Sequence, residues 1–66
     1  MPFEEGAWYW ASDGHKWKIK VVLDNLVLAR RKYCPITEAF MPTDDGKIVL
    51  SYYLYSTMID PEWKVK

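Results

Sequence analysis

Trp17-Lys18-Ile19-Lys20-Val21-Val22-Leu23, followed at once by Asp24-Asn25, decides the fold class of this 66-residue chain. Trp17, Ile19, Val21 and Leu23 alternate with Lys18, Lys20 and Val22, the period of two that marks a half-buried strand. Asp24-Asn25 then supplies two residues that tolerate positive φ, as a two-residue hairpin requires. This hairpin predicts a strand on either side, and Leu26 to Tyr33 is the strand that follows it. Its Leu-Val-Leu-Ala-Arg-Arg-Lys run alternates poorly and reads equally as a short helix, but the tight turn before it favours a strand.

Working outward, Ala7-Trp8-Tyr9-Trp10-Ala11 is aromatic, lacks helical spacing and runs into Ser12-Asp13-Gly14, so it reads as a strand ending in a turn. Cys34-Pro35 closes the third strand, because proline has no amide hydrogen to give a ladder and pushes the residue before it out of the helical region. Residues 34–46 then read as a long connection with a helical turn over Ile36-Thr37-Glu38-Ala39-Phe40. Asp44-Asp45-Gly46 is a turn that launches a fourth strand, Lys47 to Tyr55. A bend at Asp60-Pro61 leads to a short edge strand, Trp63 to Lys66, whose lysines discourage unwanted pairing. The expected fold is all-β: residues 1–66 as one small domain, a five-stranded antiparallel meander or an SH3-like barrel. Its core is expected to hold Trp17, Ile19, Val21, Leu23, Ile48 and Leu50, with Trp63 as a lid over one end.

Composition limits what such a domain does. Nine basic and nine acidic side chains cancel, which removes the overall positive charge typical of a nucleic-acid binder, so direct nucleic-acid binding is not expected. The apolar runs fall far short of the roughly 20 residues a spanning helix needs. The Met-Pro-Phe-Glu-Glu start carries acids where a secretory signal carries positive charge. A cytoplasmic protein without a membrane segment is therefore expected. The single Cys34 makes no internal disulfide, and one Cys with one His, His15, does not make a zinc site. Below about 70–80 residues a lone core is thinly stabilised, and with disulfides and metal set aside, a homo-oligomer is the expected remedy.

Half of the residues are hydrophobic and 17% are aromatic. In the fourth strand Ile48, Leu50, Tyr52 and Leu54 share one face while Val49, Ser51, Tyr53 and Tyr55 share the other, so both faces are adhesive. The first strand repeats this, with Trp8 and Trp10 on one side and Tyr9 between two alanines on the other. Aromatic faces of this kind stack a purine or anchor a protein partner, and the bland reading, tyrosines rimming the surface, is as common. Arg30-Arg31-Lys32 beside Tyr33 is the best anion-binding candidate, since arginine gives bidentate phosphate contacts. Catalysis has little footing: His15 and Cys34 have no spacing that brings them together, and paired acids Glu4-Glu5 and Asp44-Asp45 read as solvated. Neither an enzyme nor a cofactor is expected.

Met41-Pro42-Thr43-Asp44-Asp45-Gly46-Lys47-Ile48-Val49, then Ser56-Thr57-Met58-Ile59 and Glu62-Trp63-Lys64-Val65, resembles a small family of phage anti-Thoeris sponge proteins. The resemblance covers roughly the last 25 residues. It departs from the pattern at the N-terminal helix, which is absent, and at Ser56-Thr57, where the family carries Thr-Asp. What the resemblance implies is a phage anti-defence protein: a homo-oligomeric β protein that sequesters a cyclic nucleotide, a cyclic ADP-ribose-like immune signal, without cleaving it. On that reading Arg30, Arg31 or Lys32 meets the anionic part, an aromatic such as Trp10 or Tyr53 stacks on adenine, and Ser56 or Thr57 meets hydroxyls. The alternative is an SH3-like adaptor or inhibitor that grips a host protein through Trp8, Tyr9 and Tyr55.

Overall fold

The computed structural model describes residues 2–51 and 55–66. Six antiparallel strands follow one another in a single curled sheet, a half-barrel in which each strand pairs with its neighbours in sequence. They are β1 (Trp8–Trp10), β2 (Lys16–Val22), β3 (Val27–Arg31), β4 (Thr37–Pro42), β5 (Ile48–Ser51) and β6 (Ser56–Ile59), and a single 3₁₀ turn, Pro61–Trp63, ends the series. The all-β antiparallel meander expected from the sequence is therefore observed, with six strands in place of five. Tyr52, Tyr53 and Leu54, assigned above to the fourth strand, lie outside the described residues.

The β2–β3 hairpin forms where the alternating lysines and Asp24-Asn25 place it. Leu23 donates its amide to the Leu26 carbonyl at 2.8 Å, which leaves Asp24 and Asn25 as the loop. The register is regular from Trp17↔Arg31 to Ile19↔Ala29, then shifts so that Val21 faces Leu28 and Val22 faces Val27. One extra residue in β2 is a β-bulge, and it reverses the alternation. Val22 consequently packs against the core, while Val21 and Leu23, both expected inside, are exposed.

Residues 34–46 hold a strand and not the expected helical turn. β4 lies against β3 through Val27↔Phe40 to Arg30↔Thr37, then passes to β5 through Met41↔Val49 and Pro42↔Ile48. Pro42, which has no amide hydrogen to offer, comes two residues after the β3 ladder ends at Phe40. Phe40 is fully buried at this crossover and meets Trp17 edge to face, with centroids 5.0 Å apart and planes at 82°. Such a pair adds about 0.5–1.5 kcal/mol beyond the area it buries.

The remaining core is filled from one side of each strand: Tyr9 and Ala11 from the β1 segment, Trp17 and Ile19 from β2, Val27 and Ala29 from β3, Ile48 and Leu50 from β5, and Ile59 from β6. Ala7 and Ala11 flank Tyr9 on the same side, and their small side chains leave room for its ring. Phe3 closes over Tyr9 at 5.1 Å, and the Tyr9 hydroxyl accepts a hydrogen bond from the Glu4 amide at 2.8 Å.

The seam between the first and last parts of the sheet is drawn together by the C-terminal segment. Ser12 donates to the Met58 carbonyl at 2.9 Å, and Met58 returns its amide to Ser12 Oγ at 2.8 Å. Val65 donates to the Trp8 carbonyl at 2.9 Å, and Lys64 forms a single bridge with Tyr9. The edge strand expected over Trp63 to Lys66 is thus reduced to one bridge. Asp60 caps the preceding 3₁₀ turn by accepting from the Glu62 amide at 2.8 Å, and Pro61 at its first position breaks any continuation of β6.

Candidate functional site: the outer face of strands one to three

Burial of Tyr9, Trp17, Ile19, Val27 and Ala29 leaves the alternate residues of the same strands on the outer face. The register sets them in rows. Trp8 lies opposite Lys18, and Lys18 opposite Arg30; Trp10 lies opposite Lys16. Lys32, just past β3, donates its amide to the Lys16 carbonyl at 2.8 Å. Side-chain geometry agrees with the rows: the Lys16 ammonium stands 5.0 Å from a Trp10 ring centroid, and the Arg30 guanidinium reaches across to 5.8 Å from Trp8. Each contact is a cation–π pair worth about 0.5–1 kcal/mol at an exposed site.

The three strands themselves bring charge of one sign to this face. The strand sequences Trp-Tyr-Trp, Lys-Trp-Lys-Ile-Lys-Val-Val and Val-Leu-Ala-Arg-Arg contain no acidic residue. The ion pairs of the described residues lie elsewhere: Lys47 with Asp45 at 3.5 Å and with Asp60 at 3.9 Å, and Lys64 with Glu4 at 3.2 Å. A net charge of zero therefore averages a basic, tryptophan-bearing face against acids carried on turns, on the terminal segments and, as Glu38, on β4.

Trp10 also borders a groove of about 460 Å³ at the seam, lined by Trp10, Ala11, Ser12, Glu62, Trp63 and Lys64. Trp63, read as a lid on the core, is a wall of this groove. Two indole rings stand on either side of an open slot and offer stacking surface for a flat ring. The slot's charged lining is mixed, Glu62 with a Lys64 that pairs with Glu4, and the cation beside Trp10 is Lys16 on the strand face.

The expected ligand residues divide between two places. Trp10, Arg30 and Lys32 belong to the outer face. Arg31, opposite Trp17, belongs to the other side of the sheet, where with Asp13, Trp17, Cys34, Ile36, Glu38 and Thr57 it lines a cavity of about 240 Å³. Thr57 is only 7% exposed there, and Asp13 helps to build the wall by accepting from Trp17 Nε1 at 3.0 Å. Ser56 is exposed at the start of β6, and Tyr53 lies outside the described residues. Among the expected partner contacts, Tyr55 is 74% exposed and Trp8 is half-buried, but Tyr9 is core at 1% and offers no surface.

Lys16 and Lys18 are not among the residues expected at a site, and Lys18 and Lys20 enter the sequence pattern only as the polar alternates of a strand. Their signal was present: three lysines at every second position, with two tryptophans at the same spacing in the preceding strand. Tyr33 carries a separate mark. It is 92% exposed, holds φ at 69° and sits 5.2 Å from the Lys32 ammonium. Left-handed backbone costs a non-glycine residue about 1–2 kcal/mol, and an exposed ring gives back no burial.

Among the described residues, no three or more His, Cys, Asp or Glu side chains come together as metal ligands, and no helix is long and apolar enough to cross a membrane. One carboxyl is displaced from its ordinary pKa: Asp45 is lowered, first by the hydrogen bond from Thr43 Oγ1 and then by the nearby Lys47. Comparison of the chain with protein-family models, curated proteins and solved structures gives no match.

Proposed function

We propose that this chain is a non-catalytic binding protein for a nucleotide-type ligand, held with its ring against Trp10 and its phosphates on Lys16, Lys18, Arg30 and Lys32. One observation carries the reading: three adjacent strands set two tryptophans and a cluster of cations on one face and contribute no acid to it. Indole rings stack on bases, and ammonium and guanidinium groups pair with phosphate oxygens. The resemblance of residues 41–65 to the phage sponges supports a narrower form: a homo-oligomer in the host cytoplasm that sequesters a cyclic ADP-ribose-like signal and leaves it intact. In that form inhibition follows from mass action alone, so the protein must be at least as abundant as the signal.

Isothermal titration with ADP and with cyclic ADP-ribose, alongside native mass spectrometry for assembly mass and retained cargo, tests the reading. Saturable binding that is lost in Trp10→Ala and weakened in Arg30→Ala is the expected result. Absence of binding to either compound at millimolar concentration overturns it. That outcome, with capture of a host protein dependent on Trp10, Trp63 and Tyr55, favours the adaptor reading, which rests on the exposure of those three rings.

A further inference from the structure

We infer that the outer face of β1–β3 takes a single-stranded nucleic acid, engaging at least two consecutive nucleotides. This rests on the nucleotide-binding reading above and names the class of ligand. The observation is a repeat. Trp10 lies opposite Lys16 and Trp8 opposite Lys18, and each indole carries a cation, Lys16 over Trp10 and Arg30 over Trp8, so an aromatic–cation unit occurs twice on this face. Residues two apart in a strand stand about 6.8 Å from each other, close to the span of one nucleotide in a stretched single strand.

Lys20, exposed at the bulge, follows Lys16 and Lys18 on β2, and Arg30 with Lys32, just past β3, forms a second line. A mononucleotide has no use for two ring-and-cation units side by side plus a parallel row of cations. A strand of nucleotides does: bases stack on the indoles, and the phosphates follow the lysines. A net charge of zero argues against nucleic acid, yet phosphate contacts respond to the local field within a Debye length, about 8–10 Å at ordinary salt. The β1–β3 strands themselves supply cations and no acid side chain, and the nearest carboxylates lie at the ends of the face, Glu5 on the Val22 amide and Glu62 in the groove beside Trp10. Neither tryptophan reads base edges, so tolerance of sequence is expected.

The test is fluorescence anisotropy with labelled oligothymidylates of two, four and eight nucleotides, with ADP as the competing mononucleotide. The octamer should bind at least tenfold more tightly than ADP, and log K should fall with log salt at a slope of about −2, the value for roughly three phosphates neutralised on a single strand. Lys16→Ala with Lys18→Ala should flatten that slope and weaken binding tenfold or more. Lys47→Ala, a cation away from this face, should change neither, and circular dichroism confirms that each variant is folded. Trp8→Ala should weaken the octamer severalfold more than it weakens ADP. Equal affinity for ADP and octamer overturns the inference while the nucleotide reading stands. Binding of neither overturns both, and octamer binding indifferent to Lys16, Lys18 and Trp8 overturns the placement on this face.

Discussion

Val21→Thr and Val22→Thr together test the bulge in β2, which decides where the residues of that strand after Ile19 point. Threonine keeps the shape and strand preference of valine and differs by a hydroxyl in place of a methyl, so the pair reports burial and little else. Placing a hydroxyl in an apolar site without a partner costs about 1–3 kcal/mol in proteins. Val22 packs against the core but is not sealed, which puts its cost near the low end, at about 1–1.5 kcal/mol. Val21 is 37% exposed on the outer side, where water meets the hydroxyl, and its cost is expected within about 0.5 kcal/mol. In a domain of this size 1 kcal/mol corresponds to about 4–8 °C in Tm. Urea unfolding followed by circular dichroism resolves the difference if the slope with denaturant is unchanged between variants. Straight alternation puts Val21 inside and Val22 outside and predicts the opposite order. A Val21→Thr loss larger than that of Val22→Thr refutes the bulge and the outward placement built on it.

Tyr33→Gly should raise stability by about 0.5–1 kcal/mol, the left-handed penalty relieved less the added freedom of glycine in the unfolded chain; a loss of stability in urea shows instead that the ring has a structural contact. Tyr9→Phe deletes the acceptor of the Glu4 amide and should cost about 1 kcal/mol, with faster hydrogen exchange at Glu4; unchanged exchange at that amide contradicts the bond. Asp45 should titrate below an ordinary aspartate in an NMR experiment on its carboxyl, and Thr43→Ala should bring the midpoint back up; an identical midpoint in both proteins removes Thr43 as the cause. Because its folded pKa is the lower one, the stability it contributes is present above the unfolded value and fades as pH falls below about 4, and Asp45→Asn should abolish that part of the acid response.

The sequence discloses elements whose signal is local. Trp17 to Ile19 alternates, Asp24-Asn25 turns, and both appear in the structure where the residues put them. β4 was hidden because Thr37 to Pro42 buries one large side chain, Phe40, and its ends are marked by prolines that ordinarily end strands. Its strand character comes from two different partners, β3 and β5, and a property shared between non-adjacent segments leaves no local trace. The bulge is hidden for the same reason, since it exists only as a mismatch in count between β2 and β3. At the site, Trp10, Arg30 and Lys32 could be read from residue type, but their union with Lys16 and Lys18 is a matter of register. Arg30 and Arg31 show the converse: adjacent in sequence, they are sent by the pleat to opposite sides of the sheet. Tyr9 looks like its neighbours and differs from them only in facing Phe3 and the core.

The seam hydrogen bonds set an order of events for the chain. Each strand pairs with the one next to it in sequence, so hairpins can assemble in turn at small loop-closure cost. Joining Ser12 to Met58 and Trp8 to Val65 spans most of the polypeptide and depends on that sheet having already curled. These contacts should therefore form late in folding and open first by sub-global fluctuation, with the amides of Ser12, Met58 and Val65 exchanging ahead of those in β2 and β3. Trp10 and Trp63 stand on opposite sides of that seam, so each such opening parts the two walls of the groove without unfolding the sheet that carries the lysines.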